Sequence, residues 1–234
     1  MQLFYCKDIC GKIYTLPKEE SAHCIRVLRK TVGEKIDIID GKGGLFEAVI
    51  IDDNSSKCVV EVVSQKSGVE ALPYELHIAI APTKNIDRLE WFLEKSTEIG
   101  IFEISLLLCD HSERKMVKQD RAEKVVVSAV KQSLKTYVPQ LNEMVSFSDF
   151  MKRDFGDMPR FIAHCDNAFE RTHLKKVVGD RALVLIGPEG DFSPREIETA
   201  LEKGFVSISL GDSRLRTETA ALYATSIISI ATVK

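Results

Sequence analysis

The sequence predicts a mainly parallel α/β domain preceded by a small strand-rich domain. Three observations carry this. From residue 75 onward, strand-like runs alternate with segments of helical period, the pattern of a parallel sheet covered on both faces. The first 63 or so residues are instead β-branched or alternating runs broken by turn residues. Between them SQKSGVEALP, residues 64–73, is polar, contains Gly and Pro, lacks periodicity and reads as a linker. The predicted domains are therefore 1–68 and 74–234.

In the first domain, KIDIID (35–40), GLFEAVIID (44–52) and KCVVEVV (57–63) are strands. Turn chemistry at Asp40-Gly41-Lys42-Gly43-Gly44 and Asp52-Asp53-Asn54-Ser55 separates them, so a small barrel or meander fits. One helix is expected over Pro17–Arg29, with Cys24, Val27 and Leu28 on a single face. In the second domain ELHIAIAPTK (75–84) is a strand. Asn85 caps a helix carrying Ile86, Leu89, Leu93 and Ile99 and stopping at Gly100. ISLLLCD (104–110) is a buried strand, and Ala122, Val126, Ala129, Val130, Ser133 and Leu134 share a helical face within 119–134. RFIAHC (160–165) and ALVLIG (182–187) are further strands. Ser193 as N-cap, Pro194 at the first helical position and Glu196 completing a capping box then start another helix.

Composition excludes several classes of function. Apolar residues make up 44% of the 234 and charged residues 29%, which suits an ordinary globular protein. No apolar run reaches the ~18 to 20 residues a bilayer requires, and MQLFYCKDIC lacks a signal-peptide pattern, so a cytoplasmic location is expected. The six cysteines, at 6, 10, 24, 58, 109 and 165, form no CxxC pair and no cluster with histidine, so neither a metal nor a disulfide framework is expected. With a net charge of −3, any nucleic-acid contact must rest on local patches. One is Arg26, Arg29, Lys30 and Lys35. The other, Arg114, Lys115, Lys118, Arg121 and Lys124, is interleaved with acidic residues and reads rather as a solvated helix face.

Gly187-Pro188-Glu189-Gly190-Asp191 follows a strand, and ligands of open parallel sheets bind beyond the carboxyl ends of strands. The loop is either a tight turn that its glycines permit or a ligand cradle. A phosphate cradle is disfavoured, because no GK[ST] or GxGxxG is present and two acidic residues stand in the loop. One strand later VSISLGDSRLRTETAALYATSIISIA (206–231) carries Arg214 and Arg216 into a helix, capped by Thr217 and apolar on nearly all sides. Such a helix is expected to be buried in a core or against a second subunit. Two arginines beside it are costly unless paired or used on an anion.

IGPEGDFSPREIE followed by SLGDSRLRTETA resembles the SPOUT superfamily of S-adenosylmethionine-dependent RNA methyltransferases, and within it the RsmE family. His23-Cys24-Ile25-Arg26-Val27-Leu28-Arg29 is similar to that family's HxxxVLR segment, Glu94–Gly100 to its helix end, and Gln132–Pro139 to its Q-S-x-R-x-x-x-P segment. Asp191 departs from the family's GPEGG. Ser213 and Arg214 depart from its LGxRILR, and Lys135 stands where Arg is frequent.

The resemblance implies an α/β trefoil-knot domain behind a PUA-like β-barrel, methylating N3 of a uridine in 16S ribosomal RNA within the small subunit. S-adenosyl-L-methionine would be held by Ile186, Gly187, Pro188, Glu189, Gly190, Leu210, Gly211, Leu215 and Thr217. A positively charged sulfonium also accounts for the loop's acidity. Removing the uracil N3 proton needs a base, Glu218 or Glu189, and the resulting anion needs a cation, Arg216 or Arg214. His23, Arg26, Arg29 and Lys30 would contact RNA, recognising the shape of an assembled particle more than free RNA. A homodimer through the helix from Thr217 is implied too. A knotted RNA-binding or assembly factor without activity is the alternative, together with an α/β enzyme acting on a small molecule.

Overall fold

The computed structural model of the protein describes residues 2–68 and 72–232. They fold as two compact units, one comprising Met1–Ala71 with Val127–Val138 and the other Leu72–Val126 with Pro139–Lys234.

In the first unit, β1 (Leu3–Tyr5), β2 (Ile13–Thr15), β3 (Lys35–Ile39), β4 (Leu45–Asp52) and β5 (Val59–Lys66) form one sheet in the order β1-β3-β4-β5-β2. β1 runs parallel to β3 and the other pairs are antiparallel. Register shifts at Glu47/Ala48 and Ile50/Asp52 bend β4, as bulges do when a sheet curls on itself. Alternate residues of these strands enclose a core including Phe4, Ile38, Phe46, Ile50 and Val60, with the thiols of Cys6, Cys24 and Cys58 free and buried in it.

Three differences from the sequence reading stand out here. The helix expected over 17–29 is only α1 (Lys18–Ala22), followed by a π-helical turn over His23–Val27. The wider turn rotates the later residues, so Cys24 is buried while Val27 is 65% exposed. β5 continues to Lys66, so the first three residues of the expected linker belong to the sheet, and residues 69–71 lie outside the described residues. Two short strands, β1 and β2, had no periodicity to announce them.

Residues 127–138 complete this unit. Val130 and Val138 pack with Leu3 and Ile39. Gly43 N–H donates to Thr136 O at 3.1 Å and Val138 N–H to Gly41 O at 2.9 Å, and Lys131 pairs with Glu20 at 2.7 Å.

The second unit contains β6 (Glu75–Ile80), α2 (Ile86–Ile99), β7 (Glu103–Leu108), α3 (Gln119–Gln132, whose end belongs to the first unit), β8 (Gln140–Ser146), α4 (Phe147–Phe150), β9 (Arg160–Ala163), β10 (Thr172–His173), β11 (Arg181–Ile186), α5 (Pro194–Glu202), β12 (Val206–Ser209) and α6 (Thr217–Thr232). All seven strands are parallel, in the order β10-β12-β9-β11-β6-β7-β8. Buried side chains from Leu76 to Ile80 and from Ala182 to Ile186 make β6 and β11 the centre of the sheet, where both faces are covered. The capping signals act as expected: Asn85 accepts from Asp87 N, and Ser193 with Glu196 forms a complete capping box.

Chain order and sheet order diverge at the end. β12 pairs with β9 and β10, yet α6, which follows it, packs on α2, β6 and β11. The chain leaves one side of the sheet and returns to its middle. Ile80, Ile186, Ala163 and Ile208 lie in matching register, so the segments after β6, β11, β9 and β12 leave from one edge.

Candidate functional site

The loop after β11 lies at the centre of this edge and is tied to three neighbouring segments. Glu189 Oε1 accepts the N–H of Lys84, after β6, at 2.9 Å. His111, after β7, brings Nδ1 to within 3.1 Å of Gly190 O and 3.0 Å of Asp191 O. The Asp191 carboxylate accepts from Cys165 N, after β9, at 2.7 Å and from Phe192 N at 2.8 Å. Asp191 is left-handed at φ 64° and donates its own N–H to Pro188 O at 2.9 Å. A turn of this hand suits glycine, and Asp is among the few residues that tolerate it.

The β7 segment is anchored further along. Ser193 Oγ donates to Asp110 Oδ2 at 2.6 Å, and Asp110 N–H donates to the buried Glu196 at 3.0 Å. Arg114 donates to the carbonyls of Thr83 and Lys84 at 2.9 and 2.6 Å. Lys84 pairs with Glu113 at 2.7 Å, and Arg121 with Glu90. Much of this basic segment's charge is thus committed to local partners, and it borders an open cleft of about 390 Å³ lined by Lys84, Glu113, Arg114, Lys115 and Met116.

A fourth segment reaches the loop where α6 starts. Thr217 Oγ donates to Gly187 O at 3.1 Å. Next to it Glu218 is only 7% exposed, with Oε1 3.7 Å from Nε of Arg88 on α2 and Oε2 buried without a partner. Its place in the first turn of α6 suits a carboxylate, because the helix N-terminus carries partial positive charge. His164, directly after β9, is buried as well, its Nε2 2.9 Å from Ser207 Oγ and its Nδ1 unpartnered. Burial holds its imidazole below the ordinary histidine pKa and therefore neutral at pH 7. Buried polar atoms rarely go unpaired, and two such atoms on one edge mark a place where a ligand can complete the bonding.

The remaining predicted residues are placed as follows. Ile186, Gly187 and Pro188 are buried, Glu189 and Gly190 exposed, and Leu210 and Leu215 half-buried. Gly211 is exposed at φ 113° with open space around its α-carbon. Arg214 and Arg216 are exposed, so the cost of burying an arginine that the sequence suggested does not arise. Nor is α6 covered all round, since Tyr223 and Ile230 lie exposed. His23, Arg26, Arg29 and Lys30 belong to the first unit, and three of them already have partners: His23 Nε2 lies 3.2 Å from Gln2 Nε2, Arg26 donates to Ser55 at 3.1 Å and Lys30 pairs with Glu34 at 2.7 Å. Arg88 and His111 were not singled out from the sequence, and His164 was weighed there only as a metal ligand, beside Cys165 and Asp166, and set aside. Arg88 stands one turn into a helix capped by Asn85, but nothing there foretells Glu218, which lies 130 residues further on. Among the described residues no group of three or more His, Cys, Asp or Glu side chains is placed to hold a metal ion. No described helix is long and apolar enough to cross a membrane.

Two family models match the chain, an RNA methyltransferase domain over residues 70–229 and an RNA methyltransferase PUA domain over residues 16–63. The curated ribosomal RNA small subunit methyltransferase E of Bacillus subtilis is 30% identical, the match covering 94% of this chain and 90% of that protein. A crystal structure of a probable rRNA-methyltransferase from Porphyromonas gingivalis superposes with a TM-score of 0.90 at 41% identity, covering 99% of this chain and 98% of that one. A putative methyltransferase from Legionella pneumophila, solved with bound SAM, gives a TM-score of 0.86 at 28% identity, covering 98% and 97%. Fold and loop cluster together define a SPOUT-class α/β enzyme with a PUA-like N-terminal domain. In this fold the chain doubles back between β12 and α6, which returns to the middle of the sheet. Within that class, the chain belongs to the ribosomal RNA small subunit methyltransferase E family.

Proposed function

We propose that the protein transfers a methyl group from S-adenosyl-L-methionine to N3 of a uridine in 16S ribosomal RNA, at the edge formed by the segments after β9, β11 and β12. The observation that carries this is the junction of the Gly187–Asp191 loop with the start of α6, where Thr217 meets Gly187 O and Glu218 holds a buried, unpartnered carboxylate oxygen.

The residues present fit the cofactor. Gly187 and Gly190 let the backbone approach closely, and Leu210 and Leu215 offer apolar walls. Acidic side chains suit a cation, and Glu218 Oε2 and His164 Nδ1 lack partners. Bound there, S-adenosyl-L-methionine supplies a methyl group already activated by its positive sulfur. The chain's own task is to align the uracil and to move one proton. Glu218 takes the N3 proton, and Glu189 is less suited because its Oε1 is occupied by Lys84 N–H. As charge spreads onto the two flanking carbonyl oxygens, Arg216, with Arg214 beside it, meets it from the exposed loop. Arg88 Nε lies 3.7 Å from Glu218 Oε1, which leaves Oε2 as the oxygen open to the substrate.

His23, Arg26, Arg29 and Lys30 form the RNA-contacting set of the first unit, whose domain is residues 1–68 completed by 127–138, and the catalytic domain is the rest of 74–234. The substrate is the RNA within the small ribosomal subunit, the site of action is cytoplasmic, and the working form is a homodimer that covers the exposed Tyr223–Ile230 face of α6. No observation favours the inactive-factor reading, since Asp191 keeps the turn that a glycine would adopt. Mapping modified nucleotides in ribosomal RNA from cells with and without the gene tests the proposal. One N3-methyluridine in 16S RNA should vanish with the gene, and an unchanged map would refute the reading.

A further inference from the structure

We infer that Asp191 is a positioning residue, whose carboxylate clasps the segment after β9 to the loop after β11 and so sets the methyl-donor pocket before its ligand arrives. This rests on the reading of the edge as the cofactor site. Glycine would satisfy φ 64° without strain, so the turn itself does not call for a carboxylate. What Asp adds is two short charge-assisted bonds, 2.7 Å from Cys165 N and 2.8 Å from Phe192 N. The first spans 26 residues and joins two loops, while the second fixes the orientation of the carboxylate that makes it.

Both ends of the clasp are themselves held. On one side His111 engages Asp191 O and Gly190 O, so residue 191 is fixed by its backbone as well as its side chain. On the other, Cys165 directly follows His164, whose ring is buried against Ser207. Bonds at Cys165 N and at His164 Nε2 thus fix the His164–Cys165 step from two directions. The unpartnered His164 Nδ1 lies on that step, and its placement depends on the clasp. Asp191 therefore acts through the loop it ties down.

Calorimetry on the full chain with S-adenosylmethionine and with S-adenosylhomocysteine, whose sulfur is neutral, tests this together with amide exchange at Cys165. In Asp191→Gly, affinity for both ligands should fall about tenfold, the loss expected for a hydrogen bond to a charged group. Methyl transfer at saturating cofactor should stay within about twofold, and the Cys165 amide should exchange faster. Asp191→Asn keeps a single acceptor oxygen where Asp191 offers Oδ2 to Cys165 N and Oδ1 to Phe192 N, so its loss for both ligands should lie between wild type and Asp191→Gly. Undiminished affinity in Asp191→Gly would overturn the inference. So would a loss limited to S-adenosylmethionine and shared by both variants, which would mark a direct effect of charge. Failure of the wild-type chain to bind either ligand at micromolar concentration would instead remove the pocket reading, and the clasp's role with it.

Discussion

Residues 187–191 and residues 210–216 each lead from a parallel strand towards a helix, but they are held in different ways. The first loop receives hydrogen bonds from segments after β6, β7 and β9, and each of its last three residues takes part in one. The second has Thr217 Oγ bonded to Gly187 O at its far end, and between Gly211 and Arg216 its residues are exposed or half-buried. We expect the first wall of the proposed pocket to be preformed and the second to be ordered by what it binds. The proposed anion-stabilising arginines, Arg214 and Arg216, stand on the second loop, and the proposed base, Glu218, stands on the helix that follows it.

This contrast can be broken most forcefully at the second wall. Arg216→Ala and Glu218→Gln should each lower methyl transfer at least ~100-fold, the usual range for a lost general base or charge stabiliser, with cofactor affinity nearly unchanged. Single-turnover assays beside calorimetry would show this, and near-normal turnover in both would end the assignment. Next come the two glycines. A Cβ at Gly187 would meet Phe192 Cδ2 at 3.0 Å and Phe192 N at 3.1 Å, so Gly187→Ala should cost about 2 kcal/mol in a denaturant melt. Gly211→Ala meets no neighbour but sits at φ 113°, and about 1 kcal/mol of backbone strain is expected. A reversed ranking would mean the first loop is the more yielding.

Amide exchange gives a direct comparison. Asp191, Phe192 and Ser193 N–H all have acceptors, and should exchange at least ~tenfold more slowly than the amides of residues 211–215. Added cofactor should slow mainly the second set. The smallest effect is expected where the loops touch. Thr217→Val removes the bond to Gly187 O and should cost between about 0.5 and 1 kcal/mol. A loss of several kcal/mol would show the two walls to be one cooperative unit.

Much of the second unit was legible in the sequence because its signals are local. The capping box at Ser193–Glu196, the Asn85 cap and the buried runs of β6 and β11 lie within a few residues of what they specify. β8 escaped notice because QLNEMVS mixes polar and apolar residues at an edge of the sheet, without a clean alternation. Val27 was misplaced because helical period was assumed through a π-helical turn, whose side chains follow a different rotation. In the candidate site, motif spacing pointed to Gly187–Asp191 and Arg214–Glu218. The pairing of Arg88 with Glu218 and the bond from Cys165 to Asp191 are long-range, and no period records them.

Residues 127–138 complete the first unit although the second begins at residue 72. On the ribosome, the sheet residues Leu3 and Ile39 emerge long before the Val130 and Val138 that cover them. Glu20, too, waits 111 residues for Lys131. A fragment stopping at residue 68 would leave this apolar patch open and Glu20 without its lysine. The N-terminal barrel is therefore not a module that can be cut out and grafted elsewhere. Its folding should finish only after more than half of the polypeptide has been synthesised.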